Sequence, residues 1–553
     1  MCLSRGDIQH FASYYWSKAD AVESGSKMQA YFPLLRQDVV PEESRDIMNW
    51  IQLIVLKSLP VNIVVDPHFR SFHASDKRHS KAKIKQIMFK LCEYVEKMLA
   101  EEMESSGRGT IMHDGWSKFG THFLALMGIY VVKTKVKGSS NSKDSFVEET
   151  KIVLLSVSPV LRPGLPDHVD HDLDQPNPLV VTQNSEAMLH HVISILKDYY
   201  NVDWNWVMAI HSDRAAVCCC MANLGKKPMI GCKNHAWDHD VNEMFNSNNG
   251  LSSCQEECHS CQVGLKQSVK KRSLLSEFTN LNPTIKNDTR WNGMYSCMKK
   301  QERMAPSLQL LETSGRVSEE FNQQSDSMFS PDVLLAGFNN ALKNYNKDLA
   351  KVHTCTSKLQ TRLMPFNVSN VIMNMITDAV NNSNNSDIQI GRLHSGQQSA
   401  KRTSPYFEAG IFKIQEGKKA ELLECERYAC RHVLVNAVED NTAPAANVDD
   451  YLESLKKKPR LEDNDYGNVS IFLGSCAEVE RVWSFAKYVL TNTQANMTPL
   501  MFETVLFLKY NWSYVTLDMV QRAIADVRTE NFNTRRSKTD TEQEQLHSQV
   551  ENN

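Results

Sequence analysis

Three acidic residues stand where a carboxylate can be held out from the end or edge of an ordered element. Asp114 follows the run Thr110-Ile111-Met112-His113, Asp213 follows Trp206 to Ile210 and then His211-Ser212, and Glu480 lies at the edge of an apolar helical stripe. Carboxylates are hard oxygen donors, suited to magnesium or manganese rather than to softer ions. Two such ions about 3.5–4 Å apart can activate a water or hydroxyl, hold an in-line geometry and neutralise the leaving oxygen of a phosphodiester. Three convergent carboxylates are the natural minimum for that arrangement. An aspartate alone at a strand end is more often a cap or turn residue, so each of the three needs the others. Glu478 is an internal rival to Glu480. Residues two apart on a helix point to different faces, so both cannot serve equally.

Thiols and imidazoles form a second set of candidates. Cys232 and His235, with His239 one turn on, have ligand spacing for zinc, as do Cys254, Cys258, His259 and Cys261 in a more crowded pattern. Buried thiols and a core-packed His235 are the plainer reading, and zinc is not expected as a cofactor. The run Asp167 to Asp174, DHVDHDLD, reads as an exposed acidic loop.

The elements that must position these groups follow from pattern. Helices are expected over Asp46 to Lys57 and Lys83 to Met103, the second with Ile84, Ile87, Met88, Leu91, Val95, Met98 and Leu99 on one stripe. From Gly109 the pattern turns to strands, with aliphatic and β-branched runs at His122 to Lys133 and Lys151 to Val160 joined by a charged hairpin link over Lys135 to Glu149. An amphipathic helix over Glu186 to Tyr200 precedes the strand at Trp206 to Ile210. Val479, Val482, Trp483, Ala486, Val489 and Leu490 make an apolar stripe. Thr498-Pro499 then caps a second apolar helix carrying Met501, Val505, Leu508 and Trp512. Two such faces need a core, a partner chain or both.

At 553 residues the chain is long enough for two or three modules. Its 41% apolar and 23% charged residues are those of a globular protein, and a net charge of −3 confines any basic surface to local patches. The residues Arg70, Lys77, Arg78, Lys81, Lys83 and Lys85 form such a patch, either a phosphate track or a solvated helix face. No secretory signal is visible, and the longest apolar run, Phe123 to Val132, is too short to span a bilayer, so an intracellular protein with reduced cysteines is expected. Lys456-Lys457-Lys458-Pro459-Arg460 reads as a nuclear-localisation signal within an acidic linker, Glu439 to Asn464.

Several of these stretches resemble one family. Glu480-Arg481-Val482-Trp483-Ser484, Leu490-Thr491, Thr498-Pro499 and Leu506-Phe507-Leu508-Lys509 resemble the C-terminal dimerisation region of hAT-superfamily transposases. The contexts of Asp114 (DGWS) and Asp213 (SDRAAV), the segment Cys232 to His235 and the run Asp288-Thr289-Arg290-Trp291-Asn292 are similar to that family's motifs, in its order. The resemblance implies an α/β fold: an RNase H-like mixed sheet with flanking helices, interrupted by a large all-helical insertion, after a helical N-terminal region. It divides the chain into a helical N-terminal region at 1–109, the first part of the core at 110–235, the insertion at 236–465, core completion and dimerisation region at 466–515, and a disordered tail at 516–553.

It also implies a function. Asp114, Asp213 and Glu480 would be a catalytic DDE triad holding Mg²⁺ or Mn²⁺, with DNA cleavage followed by strand transfer from a 3′-hydroxyl. Arg290 and Trp291 would join Arg78, Lys81 and Lys85 as DNA contacts, and Val482, Trp483, Val505, Leu508 and Trp512 would pair with a second copy in the nucleus. Two departures stand against full activity: no Cys-x-x-Cys with downstream histidines occurs near the N-terminus, and Thr493-Gln494 replaces the family's arginine pair. The alternative is a catalytically inactive, domesticated nuclear protein that acts through dimerisation and DNA association.

Overall fold

The structure, a computed structural model, describes residues 41–71, 78–136, 145–159, 184–285, 291–314, 336–382, 404–434, 466–491 and 497–530. It is a mixed α/β protein with one five-stranded mixed sheet. The Lys456 cluster, the acidic run at 167–174 and Arg290 lie outside the described residues. No helix among the described residues is long and apolar enough to cross a membrane.

The chain divides into two compact units, residues 1–91 with 513–553, and residues 92–512. In the first, the expected helix is found at Glu42–Leu56, where Ile47, Trp50, Ile51, Ile54 and Val55 are buried. His79 meets Asp46 at 2.6 Å in a buried pair, and Glu43 binds both Lys83 (2.5 Å) and Arg528. Residues 517–530 are helical, with Met519, Val520, Ala523, Ile524 and Val527 buried, which corrects the expectation of a disordered tail from 516. Its apolar residues recur at helical spacing, a signal masked by the polar sequence that follows. The next helix, Lys81–Ser106, runs from this unit into the second. Ile84, Ile87, Met88, Leu91, Val95, Leu99 and Met103 line its buried stripe, but Met98 is exposed.

In the second unit the sheet order is β3-β2-β1-β4-β5, built from β1 (Gly109–Lys118), β2 (Thr121–Val136), β3 (Ser145–Pro159), β4 (Val207–Ser212) and β5 (Met229–Gly231). The first three are antiparallel neighbours, while β4 and β5 run parallel to β1. β2 is buried from Phe123 through Tyr130, which explains its unbroken apolar run. The hairpin strands reach further than their composition indicated, so the link between them shortens to 137–144. β5 is too short for a periodic signal and was not anticipated. Between β4's neighbour β5 and residue 434, every described element is a helix, from Lys233–Ser247 to the 3₁₀ turn Arg431–Val433.

β3 is an edge strand and carries a bulge, since Leu126 pairs with Ser156 and Met127 with Leu154. The extra residue, Leu155, gives its carbonyl to the Tyr200 hydroxyl at 2.6 Å. The neighbouring edge groups are met by the helix Pro499–Tyr510 and the residue after it. Glu503 accepts from the Val157 N–H (3.0 Å), and the buried Asn511 amide both accepts from the Leu154 N–H (3.2 Å) and donates to its carbonyl (2.8 Å). Asn511→Ala leaves two buried backbone groups unmatched, so we expect a loss of about 2–4 kcal/mol. A urea titration followed by tryptophan fluorescence reads it, and an unmoved midpoint would refute the edge-clamp role.

Candidate active site

The sheet register brings two of the three acids together. β1 pairs with β4 only as far as Met112 and His211, although its pairing with β2 continues to Lys118. Asp114 and Asp213 each lie two residues beyond that last parallel pair, at the carboxyl ends of adjacent strands. Asp114 therefore does not end its strand, as expected, but sits where β1 outruns its parallel neighbour. β5 ends beside β4, with Gly231 opposite Ser212, and the next residue, Cys232, donates its N–H to the Ser212 carbonyl at 2.9 Å. Cys232 is also the N-cap position of the helix Lys233–Ser247. The carboxyl ends of parallel strands are where open α/β sheets gather their ligands.

Glu480 is delivered from far along the chain by the helix Ala477–Val489. The segment before it is pinned from three sides. The Thr110 hydroxyl donates to the Ile471 carbonyl at 3.1 Å, Gln415 donates to the carbonyls of Val469 (2.8 Å) and Phe472 (3.0 Å), and the Lys233 N–H donates to the Gly474 carbonyl at 2.8 Å. Gly474 must be glycine here, because a Cβ would lie 1.9 Å from the Ser369 hydroxyl oxygen.

The three acids share one electrostatic neighbourhood. Burial pushes the Asp114 carboxyl up to about 7, with the charges of Asp213 and Glu480 adding to the rise and the His235 charge opposing it. Asp114 is also held in place: its Oδ2 accepts from the Trp483 indole N–H at 3.1 Å and its Oδ1 from the Gly115 N–H at 2.9 Å. Glu480 Oε1 lies 3.7 Å from His235 Nδ1 and 3.5 Å from the Asn234 amide nitrogen. Asn234 is fully buried, and its own amide oxygen has no partner among the described residues.

A thiolate–imidazolium pair adjoins the carboxylates. A hydrogen bond from the Cys476 thiol, assisted by His235, holds the Cys232 thiol well below its ordinary range against the cost of its burial. The Cys476 N–H also donates to Cys232 Sγ at 3.1 Å. His235 is in turn pushed up to about 9 by its hydrogen bond to Cys232, with the charges of Cys232, Glu480 and Asp213 contributing. His235 is half-exposed, not core-packed as its sequence context indicated.

Glu478 and Glu480 are separated as helical geometry requires. Glu478 accepts from the Tyr510 hydroxyl (2.8 Å) and pairs with Arg481 and, at 3.9 Å, with Arg362. It is a structural carboxylate. Glu480 alone turns towards Asp114 and His235.

The residues read as a pairing surface have a different place. Val482, Trp483, Val505 and Leu508 are buried within the chain, and Trp512 is half-buried. Their apolar faces are covered by the protein's own core. Trp483 stacks on Trp116 at 5.5 Å, and Trp116 on Phe502 at 6.2 Å, so the indole that holds Asp114 is itself fixed by an aromatic column. Sequence reasoning took Trp483 for apolar surface; the overlooked signal was its N–H, which needs an acceptor when buried.

The other candidates are dispersed. Trp291 opens the helix Trp291–Thr313, and nothing is described of its side chain. Arg78 and Lys81 are exposed and Lys85 is half-buried, all in the first compact unit. Lys83 is engaged by Glu43, and Arg70 donates to the carbonyls of Val64 (2.7 Å) and His79 (3.1 Å). Cys254 and Cys258 pack with Trp237, Val241 and Met298, and Cys261 with Leu265 and Leu308. These thiols serve as core. Among the described residues, Cys232, His235 and Glu480 are the one group of His, Cys and acidic side chains whose ligand atoms converge, all within 4.8 Å of one another.

No family model matches the chain, and no curated protein matches it.

Asp114 gives a pH test. Its folded carboxyl titrates near 7 against an ordinary 3.8, so the folded state keeps a proton that the unfolded chain releases between those values. The group's contribution to stability is full below the lower value and is lost as pH rises through the upper one. Asp114→Asn keeps an acceptor for Trp483 and removes the charge. In chelator at pH about 8 the variant should exceed the parent by on the order of 1 kcal/mol, with no gain near pH 4. Equal denaturation midpoints at both pH values would contradict the crowding of charge.

Proposed function

We propose that the protein is a hAT-transposase-like nuclease that cleaves DNA and transfers the cut strand, using divalent magnesium held by Asp114, Asp213 and Glu480. The observation that carries this reading is that Asp114 and Asp213 lie two residues past the last pair of adjacent parallel strands and that the charges of Asp213 and of the helix-borne Glu480 both act on Asp114, with Glu480 and not Glu478 turned inward. The strand order β3-β2-β1-β4-β5, three antiparallel strands followed by two parallel to the first, supports an RNase H-like core. So does the placement of a helical stretch between β5 and the Glu480 helix, where the family resemblance puts its insertion.

The donor set fits magnesium. Its oxygens are hard ligands, and the Asp114 carboxylate, disfavoured by burial and then by the charges of Asp213 and Glu480, would be stabilised by a divalent cation. When bound there, magnesium supplies water activation and charge neutralisation at the leaving oxygen. The chain's own residues do the positioning. Trp483 fixes one oxygen of Asp114, and Asn234 reaches Glu480. His235, cationic at neutral pH and half-exposed beside the acids, is placed to donate a hydrogen bond to a phosphate oxygen.

DNA would then be gripped by Arg78, Lys81, Lys85 and Arg290, with Trp291 stacking on a base for about 1–3 kcal/mol. Pairing with a second copy falls to the outer faces of the C-terminal helices, where Tyr488 and Leu500 are exposed. Nuclear action follows from the substrate.

The test is nicking of labelled supercoiled plasmid DNA by the purified full-length protein, with and without magnesium. Asp213→Asn and Glu480→Gln should each abolish cutting while keeping the parent's circular dichroism. Glu478→Gln should lower stability and leave cutting in place, because its partners are Arg481, Arg362 and Tyr510. Undiminished cutting by Asp213→Asn would sink the nuclease reading. A parent that binds DNA and self-associates without cutting it selects the non-enzymatic alternative.

A further inference from the structure

The acidic site has a soft side. Cys232, His235 and Glu480 come from two distant parts of the chain, yet their sulfur, nitrogen and oxygen atoms lie within 4.8 Å of one another. His235 Nδ1 and Glu480 Oε1 lie 3.7 Å apart. Ligands of tetrahedral zinc, bound at about 2.0–2.3 Å, stand roughly 3.4–3.6 Å apart. Small side-chain rotations close that gap. One sulfur, one nitrogen and one oxygen donor is a mixed set that a borderline ion accepts and that magnesium, confined to oxygen, does not.

We propose that Cys232 Sγ, His235 Nδ1 and a Glu480 carboxylate oxygen bind one zinc ion per chain, in a three-ligand site with an open fourth position. Three further observations support it. Cys232 caps the fifteen-residue helix Lys233–Ser247, and a helix N-terminus favours thiolate. The Cys476 N–H already donates to Cys232 Sγ at 3.1 Å, the kind of outer hydrogen bond that orients a metal-bound sulfur. Asn234, fully buried with an unpartnered amide oxygen, reaches Glu480 at 3.5 Å and is positioned to steady that carboxylate. Cys232 and Glu480 are buried while His235 is half-exposed, so the ion has an entry side.

The three-ligand site stands without DNA cleavage. Only its consequence rests on the nuclease reading: zinc would draw on the same Glu480 that magnesium needs and, by binding a neutral imidazole, remove the His235 cation that would face a phosphate. Zinc would therefore inhibit the proposed reaction, not support it.

The experiment is metal stoichiometry on the full-length protein, kept reduced. Protein dialysed against zinc chloride and then buffer should hold about one zinc by mass spectrometry of the elements. Cys232→Ser and His235→Ala should each weaken binding at least tenfold in competition with a colorimetric chelator, and Cys220→Ser, at an exposed thiol outside the group, should leave it unchanged. Cobalt in place of zinc should give a thiolate-to-metal absorption band that Cys232→Ser removes. His235 is half-exposed, so its variant folds and decides the matter where the buried Cys232→Ser does not. No retained zinc, or zinc retained in full by His235→Ala, overturns the proposal. Because binding is read without DNA, a failure here leaves the nuclease reading standing, and a failure to cut DNA leaves this site standing.

Discussion

Like charges held close together set the terms for the rest of this protein. Burial raises the Asp114 carboxyl to about 7, and the charges of Asp213 and Glu480 add to the rise. A fold does not assemble such a group for stability. The arrangement persists because rigid neighbours over-determine it: two parallel strands in register, an indole on Asp114 and a backbone segment pinned from three sides before Glu480.

Positive charge is supplied locally. The His235 charge opposes the rise at Asp114, and the helix beginning at Lys233 places its N-terminal dipole under Cys232. The result is a site with two characters. Hard oxygens lie on the Asp114 and Asp213 side, a sulfur and an imidazole on the other, and Glu480 between them. This division gives the two proposed ions separate chemistries and makes Glu480 the residue on which both depend.

Mechanical support comes from the C-terminal helices. Pro499–Tyr510 closes the β3 edge through Glu503, with Asn511 directly after it, while Trp483 on the preceding helix reaches Asp114 through a stack with Trp116 and Phe502. One pair of helices thus protects the sheet edge and orients the Asp114 carboxylate. Covering those apolar faces inside the chain also removes Val482, Val505 and Leu508 from any partner surface.

By itself the sequence determined the local elements and their chemistry. Apolar runs marked β2, β3 and β4, the helical stripe over Glu186 to Tyr200 marked the helix Ser185–Tyr200, and Thr498-Pro499 marked the start of the helix Pro499–Tyr510. Those signals are local because they come from backbone periodicity and capping. It also placed an acid at the end of two strand patterns, and helical spacing put Glu478 and Glu480 on different faces, the preference for Glu480 resting on the family resemblance of its context. Only the tertiary structure decided that Asp114 and Asp213 align two residues past the last parallel pair, that the unheralded β5 carries Cys232 to the same edge, and that Trp483 faces inward to a carboxylate. The physical reason is that register between strands far apart in sequence, and the choice between a partner chain and one's own core for an apolar face, are settled by packing over the whole chain, which no window of residues contains.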